Sequence, residues 1–210
     1  MNELERLMKR YPQLVGCREA ITETYQVLEE SFRNGGKLLI CGNGGSAADS
    51  DHIVGELMKG FVKRRPVSAE LAEALKQADP ERGAELAKKL QGGLPAIALT
   101  NHAALSSAFA NDVDGMLSYA QQVNGYGKAG DVFLGISTSG NAENVMYAAV
   151  TAKAKGMKVI GLTGKTGGKL AKIADVAIIV PEQETYKIQE LHLPIYHALC
   201  LMLEDRFYAE

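Results

Sequence analysis

The pattern of apolar and polar positions changes its period several times along the chain, and each change marks an element. Between residues 2 and 34, Leu4, Leu7 and Met8, then Ile21, Tyr25, Leu28 and Phe32, recur at three- and four-residue steps, the spacing of amphipathic helices. Gly35-Gly36 stops that pattern. Lys37-Leu38-Leu39-Ile40-Cys41 then reads as a buried strand running into Gly42-Asn43-Gly44-Gly45-Ser46, with a helix predicted over 46–59. Strand-like apolar runs recur at 95–100, 131–136, 158–163 and 176–180. Helical stretches separate them: one through Ala110, one over 115–123, one over 142–155 and a short one over 170–174. A long helix over 186–208 follows the last strand.

Five apolar strands alternating with helices predict an α/β fold, a doubly wound five-stranded parallel sheet covered on both faces. The N-terminal helices (1–36) precede it. The commoner strand order for such a sheet, 2-1-3-4-5, puts the switch point between the first and third strands, where ligands usually bind. Residues 66–93 break the alternation. They hold two short Ala/Glu/Lys-rich helices, and Pro80 suits the first turn of the second. Their charge predicts an exposed helical arm inserted between strands one and two of an otherwise single domain over 1–210.

Composition narrows the classes of function. Apolar residues make up 46% and charged residues 23%, ordinary values for a soluble domain. Lys and Arg number 23 against 25 Asp and Glu, so no basic field exists to hold a nucleic-acid backbone. With no Trp and 6% aromatics, a base-stacking platform is not expected either. No uninterrupted apolar run approaches the ~20 residues of a membrane span. The charged start of the chain lacks the apolar stretch of a signal peptide. Cys17, Cys41 and Cys200 are an odd number at wide spacing and read as reduced, mostly buried thiols. The expectation is a cytoplasmic protein with no nucleic-acid and no membrane partner.

Candidate chemistry gathers in the glycine-rich loops. Gly42-Asn43-Gly44-Gly45-Ser46 and Ser137-Thr138-Ser139-Gly140-Asn141 face each other in the expected strand order. Glycines allow close approach of backbone N–H groups to an anion, and a helix starting at Ser46 points its positive end there. The pair therefore describes a phosphate cradle, although each loop alone is also ordinary turn chemistry. Gly42, Gly44 and Ala47 fit a relaxed dinucleotide pattern, but no acidic residue follows at the required place. Gly164-Lys165-Thr166 lacks the upstream glycine of a P-loop, since position 159 is Val159. His52 and Glu56 share one helix face, a spacing that suits a cation, an acid/base pair or a plain surface ion pair. They lie six and ten residues past Ser46, roughly 9 to 15 Å along the helix, the length of an extended sugar phosphate. In the last helix, Gln189, His192 and His197 sit among apolar neighbours. Gln189 and His197 are about 12 Å apart along the axis, wide for one shared ligand. Pro194 is expected to remove one hydrogen bond there. His192 and His102 read as packing or surface residues.

Taken together, the motifs resemble the SIS (sugar isomerase) domain and, within it, the phosphoheptose isomerase family. They are Cys41-Gly-Asn-Gly-Gly-Ser46, His52-x-x-x-Glu56-Leu57, Asn111-Asp112, Gly135-Ile-Ser-Thr-Ser-Gly-Asn141, Gly156-Met-Lys-Val-Ile, Leu162-Thr-Gly-Lys165 and Ile188-Gln-Glu-x-His192 with His197 beyond. They cover essentially the whole chain except the arm. The resemblance implies a flavodoxin-like SIS fold and an aldose–ketose isomerase that converts sedoheptulose 7-phosphate to D-glycero-D-manno-heptose 7-phosphate through an enediol(ate). It implies that Asn43, Gly44, Gly45, Ser46, Glu56, Asn111, Asp112, Ser137, Thr138, Ser139 and Gln189 contact substrate. Glu56 and His197 would be the catalytic base and acid. His52, Glu56, Gln189 and His197 would hold one Zn²⁺ per subunit, in a homotetramer with active sites between subunits. The chain departs from the family in Ala142, where a Ser is usual, in Met58-Lys59-Gly60-Phe61, where an Arg is common, and in its longer arm. The competing expectations are a non-catalytic SIS protein, such as a sugar-phosphate sensor or a tetrameric adaptor of the replication-initiator-associating kind, and an isomerase of another sugar phosphate. Retention of His52, Glu56, Gln189 and His197 together favours the enzyme.

Overall fold

The computed structural model describes residues 2–208. At the N-terminus, α1 (Glu3–Arg10) is capped by the Asn2 side chain, which accepts from the Glu5 amide. A 3₁₀ turn (Pro12–Cys17) leads into α2 (Arg18–Arg33). The α/β part then runs β1 (Leu38–Gly42), α3 (Gly45–Met58), α4 (Ala69–Ala78), α5 (Pro80–Lys89), β2 (Ala96–Ala98) and α6 (Ala103–Phe109). It continues through a π turn (Ala110–Asp114), a 3₁₀ turn (Gly115–Leu117), α7 (Ser118–Tyr126), β3 (Val132–Ser137) and α8 (Glu143–Ala154). β4 (Lys158–Thr163), α9 (Gly168–Ile173), β5 (Val176–Ile179) and α10 (Thr185–Phe207) complete it.

The sheet order is β2-β1-β3-β4-β5, the commoner one for such a sheet, and every pairing is parallel, as the sequence pattern predicts. Parallel strands need helical crossovers, and these cover both faces. Alternation along the strands sorts the core into two layers. Leu38, Ile40, Leu134, Ile160 and Ile178 pack with α1, α2, α3 and α10 on one face. Leu39, Cys41, Phe133 and Val159 pack with α7, α8 and α9 on the other. All three cysteines are buried and unpaired in disulfides. β2 is shorter than its apolar run, and the stretch between α6 and α7 holds a π turn that no periodicity announces.

α4 and α5 lie between α3 and β2. No side chain of α4 is buried, and Gly83 is the sole buried residue of α5. An isolated bridge between Pro66 and Gln91 brings the ends of this segment together. Directly before it, Arg65 is fully buried against Glu204 of α10. α10 runs unbroken through Pro194 and carries Gln189, His192 and His197 past the ends of the strands.

Candidate active site

Two loops at the carboxyl ends of neighbouring strands build the first half of the site. Gly42 of β1 stands opposite Ile136 of β3, so the loops leading to α3 and α8 face each other. Asn43, Ser46, Ser137, Thr138, Ser139 and Ala142 line a cavity of about 170 Å³, together with Ile136 and with Thr185 and Gln189 of α10. The N-termini of α3, α8 and α10 converge on it. Each helix start supplies unpaired N–H groups and the positive end of a dipole. No lining residue is charged. The cavity thus offers hydroxyl, amide and N–H donors without a fixed cation, a chemistry suited to a phosphate. Asn43 and Asn144 clasp each other through two amide hydrogen bonds, both 2.9 Å, which ties the first loop to α8. Gly140 has φ +66°, and a Cβ there would stand 1.9 Å from the Gly167 carbonyl oxygen, so the second loop requires glycine at its turn.

The second half of the site follows α3 and α10, which run side by side in the same direction. Gly45 abuts Gln189: a Cβ on Gly45 would stand 2.5 Å from Gln189 Nε2. Two turns along α3, His52 meets Tyr196 and His197. The His52 and His197 rings are 5.0 Å apart at 84°, and the His52 and Tyr196 rings 5.4 Å apart at 76°. His52 Nε2 lies 3.3 Å from Glu56 Oε1, and His52 Nδ1 lies 3.0 Å from the Tyr196 hydroxyl. Tyr196 donates to Asp49 Oδ1 at 3.2 Å. Lys59 Nζ donates to Glu56 Oε2 at 3.0 Å.

Electrostatics differ around these groups. Burial pushes the Asp49 carboxyl up, against the pull of the Tyr196 hydroxyl and of His52. Burial, then Asp49, then the Cys200 thiol and Glu56 push the Tyr196 phenol up. Burial, then the charge of His52, lower the basicity of His197, partly opposed by Glu56. His197 Nε2 is buried and has no hydrogen-bond partner.

The structure therefore brings Asn43, Gly44, Gly45, Ser46, Ser137, Thr138, Ser139 and Gln189 to one end, and His52, Glu56 and His197 to the other. Gln189 does not join the two histidines and Glu56, because it sits eight residues, about 12 Å, back along α10. Among the described residues no three His, Cys, Asp or Glu side chains are arranged as a metal-binding group. The unpartnered, buried His197 Nε2 beside His52 and Glu56 nevertheless gives this end the character of a partly assembled ligand set. Asn111 and Asp112 lie exposed on the π turn and bond to each other at 2.8 Å. They lie beside Ala110 of a second cavity of about 180 Å³, lined by Ser106, Ala110, Gly115, Ser118, Tyr119 and Asn144, the last of which bonds Asn43 of the first cavity. His192 is a buried packing residue that donates from Nε2 to the Thr163 carbonyl at 3.1 Å. His102 packs on Tyr126 at the surface.

Several residues of the site carry no local signal in the sequence. Thr185 reaches the cavity only because α10 starts there. Asp49 and Tyr196 meet only because α3 and α10 are parallel. Arg65 anchors the far end of α3: its guanidinium donates to the Leu57 and Glu56 carbonyls at 2.8 and 3.1 Å and to Glu204 Oε1 at 2.7 Å.

The family described as the SIS domain matches residues 2–91 and 80–164. The phosphoheptose isomerase of Rhodospirillum rubrum is 38% identical over 189 residues, 90% of this chain and 87% of that protein. The phosphoheptose isomerase of a Nitratiruptor species is 40% identical over 178 residues, 85% of this chain and 81% of that protein. Among solved structures, the phosphoheptose isomerase of Neisseria gonorrhoeae superposes with a TM-score of 0.73 at 33% identity, covering 97% of this chain and 94% of that one.

Proposed function

The chain belongs to the SIS-domain family and, within it, to the phosphoheptose isomerases, and on that footing we propose that it converts sedoheptulose 7-phosphate to D-glycero-D-manno-heptose 7-phosphate. The observation that carries this reading is the division of the site into a chargeless anion cavity and an imidazole–carboxylate cluster, set apart by the length of an extended sugar phosphate. The phosphate sits among Ser46, Ser137, Thr138, Ser139 and Thr185, with Asn43 and Gln189 beside it. The sugar reaches along α3 toward Glu56. Gly44 and Gly45 supply backbone contacts, and Asn111 and Asp112 close on the substrate from the π turn.

The reaction moves a proton between two adjacent carbons. Glu56 takes a proton from C1 of the ketose, and the C1–H electron pair becomes the C1–C2 double bond of an enediol(ate). The C2 oxygen gains a proton from His197; C2 then receives the proton held by Glu56, while the C1 hydroxyl returns its proton to His197 and its O–H electron pair becomes the C1=O bond of the aldehyde. Each acid or base contribution is worth roughly 10²–10⁴ in rate. Burial and the neighbouring His52 lower the basicity of His197, and a neutral imidazole can serve as the acid next to an oxyanion. Glu56 has two oxygens with different neighbours, one turned to His52 and one to Lys59, so a ligand role and a base role are compatible.

A Zn²⁺ fits the chemistry of the donors. His52, Glu56 and His197 would hold it, and Gln189, too far along its own helix, would join across a subunit boundary. Such an ion supplies Lewis-acid polarisation of the substrate carbonyl. A homotetramer with sites between subunits is supported by an open groove of about 550 Å³ between α1 and α10, in which Leu7, Leu193, Leu201 and His197 lie beside Glu3, Arg6 and Arg10. No helix among the described residues is long and apolar enough to cross a membrane; a cytoplasmic location is part of the proposal. Residues 66–93 are proposed as an arm on a single domain.

The test is incubation of metal-loaded protein with sedoheptulose 7-phosphate, with aldose formation followed by NMR. Aldose 7-phosphate forms, and unphosphorylated sedoheptulose turns over at least a hundredfold less efficiently. No aldose from the phosphate ester would refute the reading.

A further inference from the structure

Tyr196 is 2% exposed, and its hydroxyl stands between two acceptor-capable groups, Asp49 Oδ1 at 3.2 Å and His52 Nδ1 at 3.0 Å. A phenol has one proton to give. If it went to His52, the Asp49 carboxylate would keep no donor on Oδ1, and its Oδ2 is already buried without a partner. An ionised carboxylate in that position strongly favours the arrangement that gives it a hydrogen bond. The proton therefore goes to Asp49, and the phenol oxygen accepts from His52 Nδ1–H. That choice fixes the other nitrogen. His52 Nε2 is left bare, 3.3 Å from Glu56 Oε1, so two acceptors face each other and a positive charge is wanted between them.

We propose that Asp49 and Tyr196 are positioning residues: they lock His52 in its Nδ1–H tautomer, oriented so that its bare Nε2 and the Glu56 carboxylate form a prepared binding pair for a divalent cation. An imidazole free of this relay would place its proton on Nε2 and donate it to Glu56, closing the pair to a cation. The relay thus converts a surface-type His–Glu pair four residues apart into a ligand pair. It acts through the buried Tyr196. The inference rests on the proposed placement of His52 and Glu56 in the active site, but the tautomer itself does not depend on any turnover.

The experiment uses the full chain, stripped of metal and labelled with ¹⁵N-histidine. Long-range proton–nitrogen correlation at about pH 8.5 reports neutral tautomers. The His52 signals are identified by their loss in His52→Gln. In the wild type, His52 shows a protonated Nδ1 and a bare Nε2. In Tyr196→Phe, which preserves ring packing, His52 switches to Nε2–H. Zn²⁺ affinity, read by competition with a chromophoric chelator, falls by roughly tenfold or more. A wild-type His52 carrying its proton on Nε2 overturns the inference, as does an unchanged tautomer or an unchanged Zn²⁺ affinity in Tyr196→Phe. The wild-type spectrum decides alone if the variant does not fold. A correct tautomer with no isomerase activity would refute the functional reading and leave the relay standing.

Discussion

Replacing Arg65 should do more damage than replacing any other charged residue among the described residues. Arg65 and Glu204 are both fully buried, and they pair at 2.7 Å. The guanidinium also satisfies two carbonyls in the last turn of α3, which otherwise have no intrahelical donor. Glu204 additionally accepts from the amides of Phe61, Val62 and Lys63 at 2.8, 3.0 and 3.2 Å. Burial pushes the Glu204 carboxyl up, but the Val62 and Phe61 amides and Arg65 together hold it below the usual range. Arg65→Met fills much of the volume but leaves a buried carboxylate without its cation and the Glu56 carbonyl without its guanidinium donor, while the Leu57 carbonyl keeps only the Leu94 amide at 2.9 Å. Breaking a buried pair in this way costs about 3–5 kcal/mol. Against a total stability of about 5–15 kcal/mol, that is a large share. At about 2–4 °C per kcal/mol for a domain of this size, the melting temperature falls by roughly 6–20 °C. Arg65→Lys recovers part of the loss only, because one ammonium cannot span Glu204 and both carbonyls. Urea unfolding followed by circular dichroism measures the loss. In a double-mutant cycle with Glu204→Gln, the second change costs less once Arg65 is gone. A loss below about 1 kcal/mol for Arg65→Met would refute the assignment of this pair as the anchor of α3.

Three further outcomes follow from the same structure. Replacing residues 68–89 with a short turn should leave cooperative thermal unfolding intact, because α4 and α5 bury no core side chain and Pro66 already bridges Gln91; a chain that no longer unfolds cooperatively would place the arm in the core. Ala142 occupies the N-cap of α8 without a side-chain bond, so Ala142→Ser should add about 0.5–2 kcal/mol in urea unfolding and tighten phosphate binding in a calorimetric titration. His192 has its pKa lowered to about 4 by burial, partly offset by its bond to Thr163, so the unfolded chain binds a proton that the folded chain refuses. Its stabilising contribution is complete above about pH 6.5 and is lost as pH falls toward 4, up to about 3 kcal/mol; the slope of stability against pH in that window should flatten in His192→Gln.

The strands themselves and both glycine-rich loops were legible in the sequence because they depend on local pattern: apolar runs, turn residues and helix spacing; the strand order was not visible there and was expected only as the commoner one for such a sheet. β4, for instance, lies where its apolar run lies, since Lys158 and Thr163 bound it with a charge and a loop. The π turn that carries Asn111 and Asp112 was not legible, because an i→i+5 bond leaves no period in the sequence. Nor was the role of Arg65. It sits in Lys63-Arg64-Arg65-Pro66, where nothing distinguishes it from its neighbours, and only the approach of Glu204, 139 positions on, sets it apart. The separation of Gln189 from His197 was visible as helix rise. What was not visible is that α3 runs parallel to α10, matching Gly45 to Gln189 and His52 to His197. This parallel match creates the two-ended site and leaves Gln189 at the end with the uncharged cavity.

In the proposed reaction Glu56 moves the proton of an aldose–ketose isomerisation while the phosphate stays anchored two to three turns away. Turnover of sedoheptulose 7-phosphate in D₂O, with wild-type and Glu56→Gln proteins at matched metal content, tests it most directly. The account predicts that deuterium enters C1 or C2 of the sugar with the wild type. In Glu56→Gln, deuterium entry and aldose formation should fall together by roughly 10²-fold or more, with sugar-phosphate binding retained. A Glu56→Gln protein that turns over and exchanges within a few-fold of wild type would contradict the account and put the base elsewhere.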